Sequence, residues 1–209
     1  PRRAEILRDA GFDFEVRPAA VDESLRPGEA PAAHVERLSE EKVRAGAQGV
    51  RGPAVVIAAD TVVVVGGKIL GKPASREDAR RMLRLLSGKT HQVLTGIALL
   101  RLPPDERRDA SRRGGALRSA VEVTRVTFAP LREAEIEDYV TSGEPADKAG
   151  AYAVQGRAGR FVTRFEGCYF NVVGLPLARL YRMLLDMGIR EGDLQLKRRP
   201  KAAGRRKTN

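Results

Sequence analysis

Hydrophobic and polar positions recur along this chain with two different periods, and the switches between them mark out its elements. Ala4, Ile6, Leu7 and Ala10 repeat at helical spacing ahead of Gly11, which can take the left-handed conformation that closes a helix, so residues 2–10 read as a helix. Phe12, Phe14 and Val16 alternate with charged residues up to Pro18, a strand pattern. After a polar, turn-rich stretch over 21–31, Val35, Leu38 and Val43 fall on one side of a helix expected over about residues 32–48. Residues 54–59 form an unbroken β-prone run, the pattern of a strand buried on both faces and ending at Asp60. Residues 61–65, the pair Gly66-Gly67 and residues 68–70 read as a hairpin with a tight turn.

Ser75 with Asp78 three positions on is a capping-box pattern, opening a helix that runs through Leu86 and is stopped by Gly88. Residues 91–100 and 120–128 are strand-like, and the Pro-, Arg- and Gly-rich residues 101–118 between them read as a loop extending a hairpin. Residues 131–142 are helical up to Gly143; residues 148–156 are small and irregular, with Gln155 in an apolar, strand-like run. Residues 160–165 alternate, and 175–187 make a last amphipathic helix. Interleaved strands and helices without an internal repeat predict an α/β fold, a central mixed sheet flanked by helices. One domain is expected over 1–190, with the 101–118 insertion, followed by a basic tail over 191–209.

Composition narrows the class. A chain of 209 residues with 42% apolar content suits a single compact domain. No apolar run approaches the roughly 20 residues of a membrane span, and no secretory pattern opens the sequence, so a cytoplasmic protein without a membrane partner is expected. Its one cysteine, Cys168, leaves no internal disulfide and no cysteine-based zinc cluster to build from this sequence. The net charge of +11 is concentrated in two places: residues 197–209 hold seven Lys or Arg and no acid, and residues 101–118 hold six Arg against three acids. The rest is nearly neutral, so nucleic-acid binding is not expected beyond nonspecific contact by a solvated tail.

The candidate chemistry starts from Asp60, a carboxylate followed by Thr61 between two aliphatic runs. Such a group either faces a cleft beyond a strand end or caps a turn. Lys72, in the turn Gly71-Lys72-Pro73, is a point charge for a phosphate or a plain surface residue. Arg2 and Arg3, in the first turn of a helix, favour an anion or are solvated; Lys42 follows Glu40 and Glu41 and on spacing alone belongs to a charged helix face. Gln155 offers a donor and an acceptor, suited to a base edge or to neighbouring backbone. His34 and His91 have no partners at metal-ligand spacing, and there is no Walker A loop, G-x-G-x-x-G or nucleophile elbow. A carboxylate among cations suits hydrolysis of a phosphoanhydride by activated water.

Five segments carry a resemblance: PRRAEIL (1–7), AADTVVVVGGKILGKP (58–73), MLRLLSGKTHQVLTG (82–96), IEDYVTSGEPADKAGAYAVQG (136–156) and FEGCYFNVVGLPL (165–177). In this order the chain resembles the Maf family of nucleoside triphosphate pyrophosphatases. The resemblance implies a two-lobed architecture with a cleft, like that of inosine triphosphate pyrophosphatases. It also implies hydrolysis between the α and β phosphates with a divalent cation, Mg²⁺ or Mn²⁺, and a homodimer. On it, Asp60 is the general base, Arg3, Lys42 and Lys72 are phosphate-binding cations, and Glu23 is a candidate metal ligand. Arg2, Thr61 and Gln155 match the three base-contacting positions of the dTTP/UTP type; the 7-methyl-GTP type has Trp, Gln and Glu there. The family pattern places a strand and a Ser-containing loop before Pro-Arg-Arg, and the working protein is expected to carry them; Cys168 stands where Ser is commoner. A second reading is an impaired regulatory protein linked to cell division, its tail contacting nucleic acid or an acidic partner, and a further alternative is a 7-methyl-GTP pyrophosphatase.

Overall fold

Twelve consecutive residues, Ala54–Val65, form the strand β1 that organises the fold. The computed structural model of the protein describes residues 2–103 and 116–190. Gly66 and Gly67, at φ of 53° and 74°, turn the chain back into β2 (Lys68–Leu70), which pairs only with Val63 to Val65. On its other side β1 pairs along nearly its whole length with β3 (Thr90–Leu102), which pairs in turn with β4 (Ala116–Phe128) and then β5 (Val162–Glu166). The order is β2-β1-β3-β4-β5. The α/β class and the flanking helices are as expected, while every pairing among the described residues is antiparallel where a mixed sheet was anticipated.

Among the described residues six α-helices flank the sheet: α1 (Arg2–Asp9), α2 (Pro31–Gly46), α3 (Arg76–Leu86), α4 (Glu133–Thr141), α5 (Tyr169–Val173) and α6 (Leu177–Asp186). Strand alternation sends the even residues of β1 to one face, where Val62 and Val64 pack on Val35 of α2, and Val56 and Ala58 on its Val43. The odd residues face the other helices in two separate clusters. Val63 and Val65 join α3, α4 and the short 3₁₀ segments around Phe128 and Tyr139; Ala59 joins Ile6 of α1 and Leu180 and Leu184 of α6. Between the clusters lies a polar seam, Thr61 and Thr95 directly across from each other, with Asn171 of α5 over it. Two apolar clusters divided by polar side chains give the two lobes.

Several expectations are corrected. Asp60 does not end a strand: it pairs with Gly96 and Thr61 with Thr95, so β1 runs through both. The run 54–59 is only half-buried over 54–58; burial sets in at Ala59 and holds for Val62 to Val65, the last three of which β2 pairs. Residues 12–18 form no strand. Phe12 packs against the α1–α6 cluster, Arg8 lies over the Phe14 ring at 5.6 Å, and Val16 is exposed, so their apolar groups are used without a sheet partner. Gln155 lies in a turn and not in a strand-like run. The ends of the expected 101–118 loop are strand, with Arg101 opposite Ala116 and Leu99 opposite Arg118; residues 104–115, and the tail over 191–209, lie outside the described residues.

Candidate active site

Because β2 is short, the outer edge of β1 is left without a strand partner, among the described residues, from Ala54 to Val62. A cavity of about 630 Å³ opens along that edge, a size suited to a ligand of nucleotide dimensions. Alternation splits the two adjacent residues between its walls. Asp60 points to the α2 side, only 8% exposed, where Lys42 Nζ donates to its Oδ1 at 2.6 Å. Thr61 points to the α1 side, where Arg3 Nη2 donates to its Oγ1 at 3.2 Å while Arg3 Nε donates to the Gly174 carbonyl at 2.8 Å.

Lys42 reaches this point because α2 lies against the sheet. Opposite Asp60 is Gly96, and any Cβ there would run into the Val35 carbonyl and come within 2.9 Å of the Glu36 nitrogen. The same ammonium meets Glu23 Oε1 at 2.5 Å, and Lys72, on the turn after β2, lies 3.8 Å from Glu23 Oε2. The Lys42 hydrogen bond is the main cause that holds the Glu23 carboxyl below its usual range. Arg3, exposed as a residue, lines the cavity; desolvation is the main cause that pulls its pKa down, while the Asp60 charge acts the other way.

Arg2, Arg3, Glu23, Lys42, Asp60, Thr61 and Lys72 therefore line one cavity. Gln155 is exposed on its turn, outside that lining. Residues not singled out beforehand also belong to it. Asp147 lines the cavity beside Lys148, whose hydrogen bond is the first cause lowering its pKa, and Gly150, at φ 68°, lets this segment press onto Val63 and bond through its N–H to the Gly71 carbonyl. Gly174, at φ 117°, lies against Thr61 and Arg3 in a left-handed conformation that favours glycine, though a Cβ there would meet both only at ordinary contact distance. His34 also lines it, held to Glu29 at 2.9 Å. Gly96, which lies behind the site and not in its lining, carried a readable signal, since a glycine inside an apolar strand marks a close backbone approach.

Asp60 and Glu23 aim carboxylate oxygens at one point, where Lys42 Nζ now sits. Among the described residues no group of three or more His, Cys, Asp or Glu gathers, so a hard divalent cation would have two protein carboxylates at most and would complete its shell with phosphate oxygens and water. That is a usual arrangement for Mg²⁺ with a polyphosphate, and the residues present fit it.

Four cations around a buried carboxylate, on the open edge of an antiparallel sheet, define an α/β protein with a polyphosphate-sized anionic-ligand cleft. No described helix is long and apolar enough to cross a membrane. The chain belongs to the Maf family: the model described as Maf-like protein matches residues 1–187. It is 52% identical over 188 residues to a dTTP/UTP pyrophosphatase of Anaeromyxobacter dehalogenans (strain 2CP-C), covering 90% of each chain. It is 50% identical over 188 residues to a protein of the same name from Pelotomaculum thermopropionicum, covering 90% of this chain and 93% of the relative. To a third, from Hahella chejuensis, the identity is 46% over 192 residues, covering 91% and 90%.

Proposed function

We propose that this protein is a nucleoside triphosphate pyrophosphatase that hydrolyses dTTP and UTP to the monophosphate and pyrophosphate. The observation that carries the reading is Asp60, recessed on the open edge of β1 and 2.6 Å from Lys42, in the cavity that also holds Arg2, Arg3 and Lys72. Its relatives' names supply the substrate.

In this reading Asp60 takes the proton of the water that attacks phosphorus, and its placement on a rigid strand fixes the direction of attack. Arg3 and Lys72 hold the phosphate oxygens, and Lys42 turns from Glu23 toward the charge that develops on them. Glu23 and Asp60 would hold a divalent cation, which would supply neutralisation of the phosphate charge. Arg2 and Thr61 face the base, and the assignment of Gln155 to it rests on the resemblance alone.

The test is pyrophosphate release from UTP, dTTP, CTP, GTP and 7-methyl-GTP with Mg²⁺ or Mn²⁺. UTP and dTTP should lead, and Asp60→Asn should lower kcat by about 10²- to 10⁴-fold, the usual contribution of a positioned base. Preference for 7-methyl-GTP, or full turnover by Asp60→Asn, refutes the reading.

A further inference from the structure

The polar seam between the two lobes settles which way the Thr61 hydroxyl points. Thr95, fully buried, lies 3.1 Å from the main-chain carbonyl of Asn171, which can only accept, so the single Thr95 proton is committed there. The Thr95 and Thr61 oxygens are 2.9 Å apart. With the Thr95 proton spent, the donor in that contact is Thr61. Arg3 brings only N–H and uses one Thr61 lone pair at 3.2 Å. What Thr61 has left for the cavity is one lone pair and no proton.

The carbonyl that sets this order is itself fixed. Asn171, fully buried, donates through Nδ2 to the Val93 carbonyl at 2.9 Å and to Thr124 Oγ1 at 3.0 Å. Thr124 donates in turn to the Cys168 carbonyl and accepts from the Cys168 N–H, each at 3.0 Å, so α5 is clamped to both β3 and β4. Reversing the Thr61 hydroxyl would break the Thr95–Asn171 hydrogen bond and leave that carbonyl with the Gly174 N–H alone, so the observed order makes one more buried hydrogen bond.

We propose that Thr95, held by Asn171, is a positioning residue that makes Thr61 an acceptor only, and that this selects bases presenting a donor at the facing edge. The proposal rests on the reading of Thr61 as a base contact. Uracil and thymine carry a proton on N3. Cytosine has a bare lone pair there, so its N3 would face the Thr61 lone pair with no proton between them. A site whose polar groups are fixed in this way rejects the mismatched partner more strongly than a hydroxyl free to rotate.

The experiment compares kcat/KM for UTP and CTP in the wild type, Thr95→Val and Thr95→Ser, with UMP and CMP binding by calorimetry and thermal unfolding alongside. Valine removes the hydroxyl at constant shape and frees the Thr61 proton to turn toward the cavity. The UTP to CTP ratio should fall about tenfold in Thr95→Val and stay at the wild-type value in Thr95→Ser. A folded Thr95→Val with the wild-type ratio overturns the proposal, as does a wild type indifferent to the two bases. If Thr95→Val does not fold, Thr95→Cys, with its weak donor and acceptor, should give an intermediate ratio, and an unchanged one overturns the relay. If the wild type cleaves neither triphosphate, the pyrophosphatase reading fails. A UMP over CMP preference lost in Thr95→Val would still support the relay, and its absence would refute it.

Discussion

Replacing Gly96 with alanine tests whether the approach of α2 to the sheet positions the site. The added Cβ would overlap the Val35 carbonyl and crowd the Glu36 nitrogen, both helix backbone that no rotamer change can move. To restore ordinary contact the helix must retreat by about 1 Å, against a well-packed face that resists it. Overpacking of this kind costs about 2 kcal/mol. With a urea m value of about 2 kcal/mol/M, the denaturation midpoint should drop by about 1 M. The retreat also draws Lys42 away from Asp60, now 2.6 Å distant, so kcat/KM should fall about tenfold or more. Gly46→Ala is the control: it lies on the same helix, and its Cβ would meet Val56 at an ordinary 3.5 Å, so stability should hold or rise by up to about 1 kcal/mol. If Gly96→Ala unfolds at the wild-type urea concentration with wild-type activity, the close approach does not govern the site.

Further outcomes follow from the same geometry. Arg3→Lys loses the fork that spans the Gly174 carbonyl and Thr61, so KM for UTP should rise about tenfold or more, with kcat changed less. Gly174→Ala, strained at φ 117°, should lower the melting temperature and, by shifting the carbonyl that Arg3 Nε bonds, raise KM for UTP; a wild-type melting temperature would refute the strain. His91, 2% exposed, donates to or accepts from the Tyr152 hydroxyl at 2.8 Å, and burial pushes its pKa down to about 4 from 6.5. The folded form thus binds its proton less readily than the unfolded one: the stabilisation is complete above pH 6.5 and is lost as pH falls toward 4, by about 3 kcal/mol at the lower end. In His91→Gln, urea melts from pH 7 to 4 should show a flatter decline; an identical one removes His91 from acid unfolding.

Helices were readable where one face is apolar over several turns. Val35, Leu38 and Val43 specify α2, and the Ser75 side chain accepts from the Asp78 N–H at 3.1 Å as its position implied. Asp60 was legible as a carboxylate that needs a cleft, though not as a mid-strand residue. Whether β1 continues past it depends on Gly96 and Thr95, more than thirty positions away, and on β2 stopping early. The strand expected over 12–18 failed for the same reason, since alternation fits either a sheet or a segment packed on its own helix. Thr95 and Asn171 sent no signal at all: a polar residue in an apolar run does not disclose its partner.

Asp60 also has a bearing on solubility. β1 is AVVIAADTVVVV, twelve residues of high β-propensity in which this carboxylate is the one charge, and most of its outer edge has no strand beside it among the described residues. Such a segment invites pairing with another chain whenever the fold opens, and a charge in its middle acts as a gatekeeper against stacking. The substitution made to silence the enzyme, Asp60→Asn, therefore strips the strand of its protection as well. Asp60→Glu separates the two roles, since it keeps the charge while moving the carboxylate.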